Sequence, residues 1–112
     1  MEYDELPEFS RELKRLRKKY LSLNDDIDEL KRTLAKLTMK NGGKHWNCLH
    51  RDENVHIYKI RLACRYLRAT TMRVVYAQHV EPARIVLIEL YYKGDSENED
   101  RERWQSYARK FQ

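Results

Sequence analysis

Apolar residues repeat at helical spacing over the first third of the chain. They form two stripes, the first of Phe9, Leu13, Leu16 and Tyr20 and the second of Ile27, Leu30, Leu34 and Leu37. Pro7 fits the first turn of the first helix, where a missing N–H costs no hydrogen bond. Ser22 or Asn24 provides an N-cap for the second helix. Residues 8–37 are therefore predicted to form an antiparallel helical hairpin, and residues 2–6 a short edge strand.

Strand-like patterns dominate the second half of the chain. Residues 55–65, 72–80 and 84–93 are rich in Val, Ile, Tyr or Leu, and we predict three strands there. Residues 38–54 combine turn-forming residues with no period, which predicts a long loop. A last helix is predicted to begin near Ser96. The fold class is therefore α+β, with an N-terminal helical hairpin packed on a small antiparallel-type sheet and a C-terminal helix.

Length and composition limit the classes of protein to consider. A chain of 112 residues is expected to form a single domain over residues 1–112. Its longest apolar run, residues 85–88, is far too short to cross a bilayer. The first residues are acidic and contain no long apolar stretch, so we expect no secretory signal. Cys48 and Cys64 make no disulfide framework. We therefore expect a cytoplasmic protein with no membrane partner.

The net charge of +5 is concentrated in the middle of the chain. Residues 1–37 hold nine Lys/Arg and nine Asp/Glu, and residues 96–112 hold four of each. Residues 38–95 hold ten and five, so the whole excess lies there. A positive charge concentrated on one segment is typical of proteins that bind a polyanion such as nucleic acid. The alternative is a surface that only keeps the protein soluble.

The predicted strands place polar residues on one face of the sheet. Successive strand side chains point to opposite faces, so Lys59 and Arg61 share the face opposite to Tyr58 and Ile60. In the third strand, the same alternation separates Val86, Ile88 and Leu90 from Leu87, Glu89, Tyr91 and Lys93. Matching registers would bring together Lys59, Arg61, Arg73, Glu89, Tyr91 and Lys93. Because residues 55–68 contain no acidic residue, we expect these cations to be exposed and unpaired.

Such a surface provides what the cleavage of a phosphodiester requires. Fixed cations stabilise the charge that develops in a phosphorane-like transition state. A base must also take a proton from the attacking hydroxyl, and an acid must protonate the leaving oxygen. Crowding by Arg61 favours the neutral amine of Lys59, which makes Lys59 a candidate base. The alternative is the ordinary solvated face of a half-buried antiparallel sheet.

Four segments carry a family resemblance, and they read LPEFSRELKRLRKKYLSLNDDIDEL, IYKIRLACR, MRVVYAQHV and RIVLIELYYKGDSENEDRER. Together they resemble the RelE/ParE superfamily of bacterial type II toxins, and most closely the RelE-like ribosome-dependent mRNA interferases. The resemblance extends over residues 6–103. Its most specific parts are YKIR, MRVVY and IELYYKGDSENED.

The resemblance implies a toxin that enters the ribosomal A site and cleaves mRNA, which arrests translation. The 2′-hydroxyl of the mRNA would be the nucleophile, and no metal or other cofactor would be needed. A cognate antitoxin with an acidic, helix-forming segment would neutralise the toxin. The positions that match the family's catalytic residues are Lys59, Arg61, Arg73, Lys93 and Tyr91, with Tyr92 as the alternative to Tyr91. The superfamily also contains gyrase inhibitors, so a non-catalytic ParE-like inhibitor or nucleic-acid-binding adaptor is the alternative function.

Further candidates for RNA binding lie around these strands. His45, Trp46 and His50 are aromatic residues of the predicted loop that are suited to stacking on RNA bases. The alternative role for Trp46 is to anchor the loop to the core. We also expect Arg65 and Arg68 to contact RNA. The histidine and cysteine residues of HWNCLH match no standard zinc spacing, so no metal site is expected.

Overall fold

The structure is a computed structural model that describes residues 2–36 and 46–112. Its elements are β1 (Glu2–Glu5), α1 (Pro7–Leu16), α2 (Leu23–Lys36), β2 (Trp46–Arg51), β3 (Val55–Cys64), β4 (Ala69–His79), β5 (Arg84–Tyr92) and α3 (Arg101–Arg109). The predicted α+β class is confirmed, with three helices and one five-stranded sheet in the described residues. No helix within these ranges is long and apolar enough to cross a membrane.

The sheet is mixed, in the order β1-β5-β4-β3-β2. Strands β2 to β5 pair antiparallel with their neighbours, but β1 pairs with β5 in parallel. The prediction of an antiparallel-type sheet is therefore wrong for β1. The long connection through the helices and the other strands allows this parallel pairing, which a tight turn would not. At the end of β1, the N–H of Leu6 donates to the carbonyl of Leu87 at 2.9 Å.

Strand β2 lies in the segment that was predicted to be a loop. It pairs with β3 from Trp46 opposite Ile60 to Arg51 opposite His56. Its register shifts between Cys48 and His50, and this irregularity interrupts the alternation that would identify a strand. The last helix also begins later than predicted, because the side chain of Asp100 caps it by accepting from the N–H of Arg103 at 3.1 Å.

Two apolar clusters cover the two faces of the sheet. The first joins α1 and α2 to one face through residues such as Phe9, Leu16, Ile27, Leu34, Ile60, Met72 and Leu87. The second joins α3 to part of the other face through Val55, Ile57, Val75, Ala77, Val86, Ile88, Trp104, Tyr107 and Ala108. Since this second cluster stops at Ile57 and Val75 on β3 and β4, it leaves the next positions of both strands outside the apolar core.

An extra residue in β5 decides which side chains reach this second face. Val75 pairs with Glu89 but the next residue, Tyr76, pairs with Leu87, so Ile88 has no counterpart on β4. The predicted alternation along β5 is therefore wrong before this bulge. Leu87 packs with α1 and α2, whereas Val86 and Ile88 pack with α3. After the bulge, Leu90 lies in the α1 and α2 cluster, as the alternation predicted.

Candidate functional site

The strand registers align the candidate residues in two rows across β3, β4 and β5. One row is Arg61, Arg73 and Tyr91, and the other is Lys59, Val75 and Glu89. The predicted convergence of these positions is confirmed by the registers. Lys93 extends the same end of the sheet, because its N–H donates to the carbonyl of Thr71 at 2.8 Å. We call the surface formed by Lys59, Arg61, Arg73, Tyr91 and Lys93 the basic face.

Arg61 and Arg73 are opposite each other on neighbouring antiparallel strands. Arg61 is exposed, whereas Arg73 is half-buried and donates to the carbonyl of Met72 at 3.0 Å. Two like charges in directly opposite positions destabilise a strand pair. A bound anion would reverse this effect, since each guanidinium presents several N–H donors to a phosphate oxygen. The basic face is therefore electrostatically suited to an anionic ligand.

Lys59 has an acidic partner, so the expectation of an unpaired cation is wrong for this residue. Its Nζ lies 2.8 Å from Oε1 of Glu99, which precedes α3. The two side chains are only 19% and 12% exposed. The amine of Lys59 acts as a hydrogen-bond donor in this contact, so it is not available as a base while the contact persists. By contrast, Arg61 and Lys93 are exposed and form no ion pair with any described residue.

The environment of the basic face changes the acidity of two groups. Burial alone would raise the pKa of Glu99, but the hydrogen bond from Lys59, a backbone hydrogen bond and the charges of Lys59 and Arg101 together outweigh it, and the pKa lies below its usual value. Burial raises the pKa of Tyr91 to about 12, and the charges of Glu99 and Glu89 act in the same direction. Tyr91 is only 6% exposed. Glu99 is therefore ionised at neutral pH, and the phenol of Tyr91 keeps its proton.

Glu89 lies in the same row as Lys59, but it is buried and faces the start of α3. Its Oε1 accepts from the N–H of Asp100 at 2.8 Å. Burial raises the pKa of Glu89, although the hydrogen bond from Asp100 and the charge of Arg103 oppose that effect. Glu89 therefore lies on the predicted face of the sheet. Its carboxylate is not exposed there and instead holds the start of α3.

Arg103 anchors α3 to the edge of β5, just beyond the last residue that pairs with β1. Its Nη1 donates to the carbonyl of Ile88 and to Glu12 of α1, both at 3.0 Å. Its Nη2 donates to the other carboxylate oxygen of Glu12 at 2.9 Å. Glu12 in turn accepts from the N–H of Leu90 at 3.1 Å. This ion pair thus satisfies two backbone groups of β5 that no strand pairs with on that side.

The two arginines predicted to bind RNA lie in the connection between β3 and β4. Arg65 and Arg68 are exposed there, at the same end of the sheet as Arg61 and Arg73. The connection is held to the turn just before α2, because the N–H of Tyr66 donates to Oγ of Ser22 at 2.8 Å. The positions of Arg65 and Arg68 extend the positive charge of the basic face, and their contact with RNA stays a prediction.

The aromatic candidates from the predicted loop are placed differently. His45 lies outside the described residues, and so does the side chain of Trp46. His50 is half-buried in β2, with its Nε2 2.6 Å from Oδ2 of Asp52 and its ring 6.4 Å from that of Trp104. The structure therefore connects His50 to the turn after β2 and to α3, and base stacking by this residue stays a prediction.

Sequence reasoning missed Glu99, which is 40 positions from Lys59 in the chain. The available signal was the acidic segment of residues 95–100, which follows the basic strands and holds four acids among six residues. Strand alternation cannot identify such a contact, because Glu99 lies in a loop. A search for an acidic segment near a basic surface would have found it.

The described residues 2–36 and 46–112 contain no group of three His, Cys, Asp or Glu side chains that is placed to hold a metal ion. Comparisons with protein-family models, curated proteins and solved structures found no match to this chain. The charges, registers and hydrogen bonds of the basic face are therefore the basis for assigning a function.

Proposed function

We propose that this chain is a RelE-like toxin of a type II toxin-antitoxin system, a metal-independent endoribonuclease that cleaves mRNA. The observation that carries the proposal is the row of Arg61, Arg73 and Tyr91 beside Lys59. Three cations and a protonated phenol on one sheet face combine the binding of phosphate with the donation of a proton. The family resemblance of residues 6–103 supports the same assignment, including the arrangement of helical hairpin, sheet and C-terminal helix.

The proposed reaction conserves atoms and charge without an outside reagent. The 2′-oxygen of the mRNA attacks the adjacent phosphorus, and the bond from phosphorus to the 5′-oxygen breaks. The products are a 2′,3′-cyclic phosphate and a free 5′-hydroxyl. One proton leaves the 2′-hydroxyl for a base, and one proton is given to the 5′-oxygen by an acid.

The basic face supplies residues for these roles. Arg61 and Arg73 bind the phosphate and stabilise the charge of the transition state, and Lys93 holds a neighbouring phosphate. Tyr91 is the proton donor, since its pKa of about 12 keeps the phenol protonated. Lys59 is the candidate base once its hydrogen bond to Glu99 is broken.

The proposed partners are those that the family resemblance implies, and an anionic ligand suits the charge of this surface. The mRNA is presented in the ribosomal A site, and translation stops when it is cut. The neutralising antitoxin has an acidic segment that folds into a helix on contact, because such a segment complements the cationic surface. All of these partners are in the bacterial cytoplasm, where we place the protein.

A second candidate function is a non-catalytic binder of nucleic acid, such as a ParE-like gyrase inhibitor. The contact of Lys59 with Glu99 favours this reading, because it occupies the candidate base. Tyr91 is also covered in the described conformation. In this reading Arg61, Arg73 and Lys93 bind phosphates and no bond is broken.

Induced expression in a bacterial host distinguishes the two functions. An mRNA interferase stops growth and the incorporation of labelled amino acids, while the incorporation of labelled thymidine continues at first. A gyrase inhibitor instead produces DNA-damage signalling before protein synthesis falls. The variant Arg73→Ala serves as the control, since it removes a cation from the row. Growth without any arrest would contradict the interferase and the gyrase inhibitor, and would favour a nucleic-acid-binding adaptor.

A further inference from the structure

The loop before α3 is acidic and adjoins the basic face. We call residues 95–100 the acidic strap; its acids are Asp95, Glu97, Glu99 and Asp100. The strap connects the end of β5 to the N-cap of α3. Its six residues contain four acids and no base. An anionic segment beside a cationic surface is attracted to it and competes with other anions.

One carboxylate of the acidic strap forms an ion pair with a cation of the basic face. Glu99 lies on Lys59 with Oε1 at 2.8 Å from Nζ, and both side chains are largely buried. The next residue, Asp100, donates its N–H to Glu89 at 2.8 Å. Glu99 also lies near enough to Tyr91 for its charge to raise the pKa of that phenol. The strap therefore closes the side of the basic face where Lys59 and Tyr91 lie.

The strap is held firmly at its ends and loosely between them. At one end the N–H groups of Asp95 and Ser96 donate to the carbonyl of Tyr92. At the other end, the bonds of Arg103 to Glu12 and Ile88 hold α3 in place. Between these ends, Glu97 and Asn98 are exposed, Oγ of Ser96 donates to the carbonyl of Asn98 at 3.0 Å, and Glu99 has one ion pair. Loss of the contact with Lys59 therefore opens the face without the release of α3.

We propose that the acidic strap is autoinhibitory, with the Glu99 carboxylate in the place of an RNA phosphate on Lys59. This inference rests on the proposed function, because it takes RNA as the ligand. A carboxylate and a phosphate present the same charge-bearing oxygen acceptors to an ammonium donor. Bound RNA must displace Glu99 to reach Lys59 and Tyr91, and this requirement lowers the affinity for RNA.

The test compares Glu99→Gln with Glu97→Gln by fluorescence anisotropy of a labelled single-stranded RNA at fixed salt. Both variants lose one negative charge from the same strap, but Glu97 is exposed and forms no ion pair with a described residue. We expect Glu99→Gln to bind RNA about tenfold more tightly than Glu97→Gln, the scale of one hydrogen bond to a charged group. Equal affinity of the two variants, or weaker binding by Glu99→Gln, overturns the proposal.

A second measurement reports on the contact without any RNA. Acetylation of lysines by an N-hydroxysuccinimide ester, read by mass spectrometry, measures the access to Lys59, with the exposed Lys93 as internal reference. Glu99→Gln and Glu99→Ala should both increase the rate at Lys59 about fivefold or more relative to Lys93, while Glu97→Gln leaves it unchanged. An unchanged rate in both Glu99 variants shows that the strap does not shield Lys59, which overturns the proposal.

The readouts separate the possible failures. If no form of the chain binds RNA, the proposed function fails, and the inhibitory role falls with it. If the Glu99 variants nevertheless show faster acetylation of Lys59, the strap does shield Lys59, and the choice of RNA as the ligand is wrong. If Glu99→Gln binds RNA like Glu97→Gln but cleaves it about a hundredfold more slowly, Glu99 is the base of the reaction and the autoinhibitory role is overturned.

Discussion

Arg61 and Arg73 lie directly opposite each other on β3 and β4, with their side chains on the same face of the sheet. Like charges in this position weaken the strand pair by roughly 0.2–1 kcal/mol. We therefore expect Arg61→Gln to leave the free energy of unfolding unchanged or slightly higher, while RNA binding is lost. Urea denaturation and RNA anisotropy measure the two quantities on the same sample.

The control for this prediction is Arg109→Gln, which removes the same charge from an exposed position whose guanidinium donates to Oγ of Ser106. RNA affinity should stay within about twofold of the original chain in that variant, because a single exposed charge far from the ligand is screened by salt. A clear loss of stability in Arg61→Gln, without any loss of RNA binding, would show that the arginine row serves the fold.

Removal of a cation from the basic face should abolish cleavage. We expect Arg73→Ala and Lys59→Ala each to reduce the rate of RNA cleavage about a hundredfold or more, the effect of deleting one stabiliser of the transition state. Lys59→Ala should also lower the free energy of unfolding by about 1–3 kcal/mol, because it leaves the largely buried Glu99 without its donor. Lys110→Ala, an exposed site on the helix end, is the control.

Cleavage assays with folded protein, verified by circular dichroism, check this prediction. Full activity of both folded variants would mean that the reaction, if it occurs, takes place elsewhere on the molecule. Full activity of Arg73→Ala alone would assign the phosphate to Lys59 and Arg61, and the row across β4 would lose its proposed role.

The turn after β2 makes stability depend on pH. A hydrogen bond with His50, followed by those from the N–H groups of Val55 and Asn54, lowers the pKa of Asp52 from 3.8 to about 2. A carboxyl group with a lowered pKa in the folded state stabilises that state above the unfolded pKa. The contribution is then lost as the pH falls through the folded pKa.

The variant Asp52→Asn isolates this effect, since an amide oxygen still accepts the two backbone N–H groups. The original chain should be more stable than Asp52→Asn at neutral pH, and the difference should shrink as the pH falls from 3.8 toward about 2. Urea denaturation at a series of pH values measures this difference. A difference that stays constant over the same interval would exclude the proposed role of Asp52.

Sequence patterns predicted the parts of the fold in which the type of each residue indicates whether its side chain is buried or exposed. The helical stripes that contain Phe9 and Ile27 do lie in the core, as their spacing indicated. The alternation of β3 likewise placed Lys59 and Arg61 opposite to the α1 and α2 cluster. Burial of an apolar side chain is a local property that periodicity records directly.

The parts that sequence patterns did not predict depend on pairs of segments. The bulge at Ile88 becomes visible only when β5 is aligned with β4, because the residue is apolar like its neighbours. Strand β2 is stabilised by its partner β3, and not by a pattern of its own. The contact of Lys59 with Glu99 joins a strand to a distant loop. Each of these features depends on contacts between two segments that are distant in the chain, so the pattern within one segment does not predict it.

The proposed antitoxin can be tested by purification of the chain from its native host. We expect the chain to co-purify with a small acidic protein at a fixed ratio, since a free toxin would stop growth. Rising salt should weaken the complex only in part, because salt screens the charges but not the apolar contacts. Recovery of the chain alone, without a stoichiometric protein partner, would count against the toxin assignment.

Cleavage of mRNA on programmed ribosomes tests the central claim most directly. The original chain is added to ribosomes that hold a 5′-labelled mRNA with a defined codon in the A site, and the fragments are resolved at single-nucleotide resolution. We predict one cut within the A-site codon, a 2′,3′-cyclic phosphate on the upstream fragment without added metal, and no cut by Arg73→Ala. The claim would be contradicted if the mRNA stays intact although the original chain is folded and bound to the programmed ribosomes.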